Sequence, residues 1–174
     1  MGVFSKDLGP CAITFDGTDV GAIKDAKFTA KDSRVKRADS RFGSSAKDYI
    51  ITGGEVKLVA NLAETTLATL AALMHGVTLT GDELMLSNAT GTNVSDKAGE
   101  LVLKPIIDNV ASADAADWLT FFRAVSDVQA DIGFDGENER VFQVEFEALP
   151  VITVPTGESY AVGDKAAIGY GETV

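Results

Sequence analysis

Alternation of apolar and polar residues with a period of two recurs along the chain and predicts strands with one buried face. The clearest run is 142–148, where Phe142, Val144 and Phe146 alternate with Gln143 and glutamates. Shorter runs of the same kind lie at 11–15, 26–30, 56–60, 84–86 and 101–103. The chain is therefore expected to be mainly β.

Turn-forming residues place the ends of several of these strands. Asp16 and Gly17 predict a tight hairpin turn after the first strand. Gly53 and Gly54 are expected to precede the strand at 56–60. Pro105 is expected to end the strand at 101–103, because proline has no N–H to donate to a ladder.

Residues 118–125 are apolar on both faces, which favours a central strand with Phe121 and Ala124 on opposite faces. A helix over 114–125 is the competing interpretation, because Asp114 could cap it and alanines follow. The strand is the favoured one.

Helical spacing appears in the segment 64–74, where Leu70 and Met74 lie on one apolar stripe. Asn61 is a candidate N-cap and Gly76 a candidate stop. These patterns predict a mainly β, sandwich- or barrel-like fold with one short flanking helix and a long early loop.

The long early loop covers 31–47, which shows no clear periodicity and has its own charge. It holds six Lys and Arg against two Asp, so its net charge is +4. Because the whole chain has a net charge of −11, the remaining residues together carry −15. Connections of this length are usually functional or disordered. A solvated loop and a cationic contact element that attracts the acidic body of another copy are both open interpretations.

Length and charge narrow the function classes. With 174 residues and 45% hydrophobic residues, the chain is long enough for one packed domain. We expect a domain over 1–149 and a C-terminal arm or edge hairpin over 150–174. A pI near 4.4 argues against a protein that grips nucleic acid through a basic face. No apolar run reaches the length of a membrane span.

Catalytic and metal-binding patterns are not evident. His75 is the only histidine and lies at the predicted helix end, and Cys11, the only cysteine, lies on an apolar strand face. The acidic segment 131–139 fails the EF-hand pattern, since Gly133 stands at the third position. We expect no enzyme activity, no catalytic or metal-binding residues and no cofactor.

Residues 5–21 resemble the start of the tail tube (major tail) proteins of tailed bacteriophages, in which a Gly-Pro stretch leads into a strand, an Asp-Gly turn and a second strand ending in Gly. The resemblance continues at 54–58, at the helix 64–74 and in 121–124 with the strand at 140–149. It covers most of 5–149 in the right order, while the last 25 residues match nothing in the family.

The resemblance implies a structural virion protein. Six subunits would join their sheets into a ring, and rings would stack into a hollow tail tube that conducts DNA into the host without binding it specifically. The implied partners are further copies and the sheath, tape-measure and tail-completion proteins. The implied location is the virion tail, with assembly in the host cytoplasm. The type VI secretion tube is similar in fold.

Two sets of residues follow from this resemblance and from the charge pattern. The long loop, 32–53 in the family comparison, would reach the adjacent ring through Arg34, Lys36, Arg37, Arg41, Phe42 and Lys47. The expected lumen-facing acids are Asp127, Asp131, Asp135, Glu137, Glu145 and Glu147.

Two alternatives remain open at this point. One is a monomeric β-sandwich binding module of the carbohydrate-binding or adhesin type, although such modules usually expose aromatic residues and only one Trp and three Tyr are present. The other is a type VI secretion tube-like protein.

Overall fold

The structure is a computed structural model that describes residues 10–38, 41, 45–87, 90–129 and 142–170. Its strands and its α-helix are β1 Cys11–Phe15, β2 Thr18–Asp19, β3 Ala22–Ala38, β4 Ala46–Glu64, α1 Leu67–Leu73, β5 Val77–Thr80, β6 Glu83–Leu86, β7 Gly99–Ile107, β8 Val110–Ala111, β9 Leu119–Gln129, β10 Phe142–Ala148 and β11 Ala166–Ile168. The mainly β class with a short flanking helix is confirmed.

One antiparallel sheet forms the body. Its strand order is β2-β1-β7-β9-β10-β4-β3, β11 adds to β9, β8 adds to β7, and β5 and β6 form a separate hairpin. The sheet curls until β1 approaches β3. In the interior, the ring centroids of Phe15 and Phe146 lie 5.6 Å apart. Phe28, which is 37% exposed, contacts the buried Phe121 from the edge of the core, with ring centroids 6.1 Å apart. The body is thus barrel-like around an aromatic core.

Strand β10 shows why period-two alternation predicts this core. Val144, Phe146 and Ala148 are fully buried, whereas Gln143 and Glu147 are exposed. The strand pairs with β9 on one side and β4 on the other, so its inward side chains lie at the centre of the sheet. Burial of one such apolar side chain contributes roughly 1.5–3 kcal/mol.

The strand interpretation of 118–125 is confirmed, but the predicted faces are wrong. Phe121 and Ala124 are both fully buried in the same core. The ladder with β7 passes from the pair Gly99–Ala124 to the pair Leu101–Phe121, which places one extra residue on β9. This bulge reverses the side on which later residues point.

The helix is shorter than predicted and begins elsewhere. Thr66 is its N-cap and accepts a hydrogen bond from the Thr69 N–H at 3.1 Å. Asn61 lies within β4, where its amide donates to Asp25 at 2.7 Å, so the Asn61 cap is wrong. The Ser126 hydroxyl donates to the Leu73 carbonyl at 2.5 Å, which ties the end of the helix to β9.

Two predicted strand ends are also wrong. Strand β7 continues through Pro105, because the ladder with β9 has already ended at Leu103 and Pro105 pairs only with Cys11 of β1. Proline is tolerated at such an edge position. Gly53 and Gly54 lie inside β4 and do not mark its beginning.

Candidate assembly surfaces

The segment expected as an irregular loop forms a two-stranded arm over most of its length. Strand β10 pairs with β4 only over 57–62, and beyond this the described parts of β3 and β4 pair only with each other, out to Ala38 and Ala46. At about 3.3 Å per residue, 30–38 extend roughly 30 Å from the body. The alternation is absent because neither face of the arm is buried, so no apolar periodicity is required of its sequence.

The basic residues of the arm lie along both strands. Arg34, Lys36 and Arg37 are on β3, Lys47 is on β4, and Arg41 stands at the described part of the tip; all five are exposed. Arg34 forms an ion pair with Asp32 at 3.2 Å. Such an exposed pair contributes at most about 1 kcal/mol. Phe42, also predicted to make inter-ring contacts, lies outside the described residues.

Apolar side chains on the arm were missed by the sequence reasoning. Val35, Tyr49, Ile50 and Ile51 are between 45% and 62% exposed. Val35 pairs with Ile50, and Lys36 pairs with Tyr49. Large exposed apolar residues beside basic ones on an extended hairpin are typical of a surface that contacts another molecule.

Three of the six acids predicted to face the lumen lie in the described part of the chain. Asp127 on β9 and Glu145 on β10 are directly opposite each other, and Glu147 lies on the same polar face of the sheet. Asp131, Asp135 and Glu137 lie outside the described residues. Their position relative to a lumen stays a prediction.

This polar face also carries positive charge. The Lys57 ammonium lies 2.7 Å from a Glu145 carboxylate oxygen and 2.6 Å from one of Glu55. These contacts raise the pKa of Lys57 and lower that of Glu55. Lys27 is exposed on β3 opposite Val59, on the same face. In the part that the structure describes, the face therefore carries basic as well as acidic residues.

The C-terminal segment packs on the body. Strand β11 pairs with the first residues of β9, and Val151 is only 5% exposed. The Lys165 ammonium donates to the Gly54 carbonyl at 2.5 Å, at the base of the arm. The division into a domain at 1–149 and an arm or hairpin at 150–174 stays a prediction.

Aromatic residues of this segment form a cluster that sequence patterns did not indicate. The Tyr160 ring stacks on Phe122 with centroids 4.1 Å apart, and Tyr170 meets Phe122 edge-on at 5.1 Å. Trp118 lies nearby, across a cavity that both Trp118 and Tyr170 line. In the sequence, the only indication of this cluster is the presence of two tyrosines in a weakly alternating segment.

The described residues include one thiol and no metal-binding cluster. Burial raises the pKa of the Cys11 thiol, which lowers its thiolate fraction. In the ranges that the structure covers, no group of three or more His, Cys, Asp or Glu side chains could hold a metal ion. None of the described helices is long and apolar enough to span a bilayer.

Comparison with known proteins finds distant likeness at the level of structure. No family model matches the sequence, and no curated protein matches it either. The fold is similar to Hcp1 from Flavobacterium johnsoniae with a TM-score of 0.36 and 11% identity, over 79% of this chain and 87% of that one. At that score the likeness supports no conclusion about what this chain does.

Proposed function

We propose that the protein is a structural subunit that assembles with its own copies into hexameric rings, which stack into the hollow tail tube of a bacteriophage. The observation that carries the proposal is the long basic arm on an acidic, barrel-like body. An arm of net charge +4 and a remainder of −15 attract each other between copies. A contact between two different surfaces of one chain repeats head to tail, as stacking requires.

The open sheet supports ring formation. Its strand order ends at β2 on one side and at β3 on the other. An exposed strand edge can pair with another chain, and closure into a ring removes such edges. The hexameric number of subunits comes from the resemblance to tail tube proteins.

The overall charge supports a role as a DNA conduit. Each phosphate contact would slow a passing duplex, and a chain with net charge −11 makes few of them. In this proposal Asp127, Glu145 and Glu147 face the lumen, the sheath, tape-measure and tail-completion proteins are the other partners, and the protein resides in the virion tail after assembly in the host cytoplasm.

Negative-stain microscopy of the purified full chain over a range of concentrations tests the assembly. We expect rings or tubes about 100 Å across, the width that six domains of this size require. A chain that stays monomeric at the highest concentration contradicts the proposal and favours a monomeric binding module.

Substitutions in the arm test its role in stacking. The triple variant Arg34→Gln, Arg37→Gln and Arg41→Gln should lower light scattering from assemblies and leave the circular dichroism spectrum unchanged. The matched control replaces the same three residues with Lys, which keeps the charge, and should assemble like the parent protein. Equal scattering from the Gln and Lys variants would remove charge on the arm as the cause of association.

A further inference from the structure

A cavity of about 410 Å³ lies on the body, outside the arm and away from Asp127, Glu145 and Glu147. Val102 of β7 and Thr120 of β9, which are cross-strand partners, are almost fully buried and form part of its wall. Its lining is completed by Glu100, Ala115, Trp118, Glu158 and Tyr170. The cavity thus joins the sheet to the C-terminal segment.

Two aromatic rings in the lining are held in place by the fold. The Trp118 indole N–H donates to the Ser112 carbonyl at 2.9 Å. The Tyr170 ring is packed against Phe122 and Tyr160. Rings fixed in this way lose little further rotamer entropy when a ligand binds.

The charge of the lining has one sign. Glu100 and Glu158 are its only ionisable carboxylates, and no basic side chain lines it among the described residues. The Tyr170 hydroxyl donates to the Glu158 carboxylate, and this bond raises the pKa of Tyr170. Trp118 already attracts one cation, since the Lys104 ammonium lies 3.9 Å from its ring centroid.

We infer that this cavity binds a basic side chain from the arm of a second copy. Carboxylates and aromatic π-faces together recognise guanidinium and ammonium groups by charge and by cation–π attraction. The described arm carries such groups on exposed, extended strands. The inference rests on the proposed function, because it names the surface that receives the arm in the stacked assembly.

The cavity suits a cation better than a neutral sugar. Sugar hydroxyls need donors as well as acceptors around them, whereas Glu100 and Glu158 only accept when ionised. The Trp118 indole N–H, a donor, is already bonded to Ser112. A cation, unlike a neutral sugar, is attracted by the negative charge of both carboxylates.

Trp118 is the only tryptophan, so its fluorescence reports directly on the cavity. The probe is a synthetic peptide of residues 31–47, which contains neither Trp nor Tyr. Added to the full-length chain at a concentration too low for assembly, the peptide should change the Trp118 emission saturably. Added salt should weaken this binding, because the contact is ionic.

Paired variants locate the binding. Glu100→Gln with Glu158→Gln should raise the dissociation constant of the peptide about tenfold. The control, Asp82→Asn with Glu83→Gln in the β5–β6 hairpin, removes the same two charges from exposed positions outside the cavity and should leave the constant unchanged. Circular dichroism of both variants checks that the body stays folded.

The inference is overturned if the peptide causes no emission change or if the two double variants bind it equally. An emission change with maltose and none with the peptide would indicate a saccharide site. Microscopy separates this failure from that of the proposed function. If the Glu100→Gln, Glu158→Gln variant forms tubes as well as the parent protein, the inference about the cavity fails and the proposed tube function stands. If the chain binds the peptide but never forms tubes, the proposed tube function fails and the cavity remains a binding site for basic side chains.

Discussion

The arm and the barrel are built from the same two strands under opposite conditions. Within the barrel, Leu58 and Leu62 of β4 are fully buried, whereas Ile50 and Ile51 of the same strand are 45% and 62% exposed. Strands β3 and β4 pair through both regions, with bulges in the arm between Ser33 and Arg34 and between Arg37 and Ala38. The arm is therefore held mainly by backbone hydrogen bonds, while apolar burial stabilises the barrel.

This difference implies different tolerances to substitution. A barrel residue has neighbours on every side, so a change in volume leaves a cavity or an overlap. An arm residue has solvent on both faces in the isolated chain and acquires neighbours only when another molecule binds. The barrel should respond to substitution in its stability, and the arm in its association.

The largest contrast is expected between two aromatic residues. Phe146→Ala in the core should lower the free energy of unfolding by about 3–5 kcal/mol. Tyr49→Ala in the arm, where the side chain is 58% exposed, should change it by less than about 0.5 kcal/mol. Urea unfolding at low protein concentration measures both. A comparable loss for the two variants would show that the arm packs against the barrel.

A second contrast uses two glycines. Gly21 has a φ of +102°, and a Cβ atom there would lie 2.3 Å from the Glu64 carbonyl oxygen. Gly21→Ala should lower the free energy of unfolding by about 1–3 kcal/mol, because both the backbone conformation and the close approach oppose a side chain. Gly53→Ala is the control, since no atom lies within 4 Å of its Cβ position. Thermal unfolding that shifts equally for both would contradict this account.

The smallest effect concerns the polar face of the barrel. Lys57 lowers the pKa of Glu55 below its ordinary value of 4.5. The stability that Glu55 contributes is therefore present above pH 4.5 and is lost as the pH falls through its folded value. Lys57→Gln should make the acid limb of the stability curve shallower, by a small amount because the groups are exposed.

Lys57 itself stays charged between pH 2 and 7 and adds no pH dependence of its own there. The pKa of Lys57 is raised from 10.5, so its own contribution is complete below that value and is lost only as the pH rises through the folded value. Lys27→Gln is the matched control on the same face. Denaturation followed between pH 2 and 7 separates the variants, and identical acid limbs for Lys57→Gln and the parent would exclude the ion pair as a source of stability.

The parts of the fold that can be predicted from the sequence are those in which one face of a strand is buried. For strand β10 the sequence predicts both the strand and its buried face, because inward residues such as Val144 and Phe146 alternate regularly with outward residues such as Gln143. In β9 the strand was predicted and the faces were not, since the bulge near Phe121 depends on how β7 pairs with it. Local alternation carries no information about an extra residue opposite a partner strand.

The candidate sites divide in the same way. The cationic composition of 31–47 was evident from the sequence, but its form as an arm was not, because an unburied ladder leaves no apolar pattern. The cavity near Trp118 was not predictable at all. Its lining joins Glu100, Trp118 and Tyr170, which are far apart in the chain and meet only through the packing of β7, β9 and the C-terminal segment.

The mainly β class, the inward faces of the regular strands and the separation of a basic segment from an acidic remainder are predictable from sequence, since they depend on the residues and their local spacing. The curl of the sheet, the bulge in β9, the length of the arm and the composition of the cavity are seen only in the folded chain. Each of these depends on contacts between residues that are distant in the chain, and a local pattern contains no such contacts.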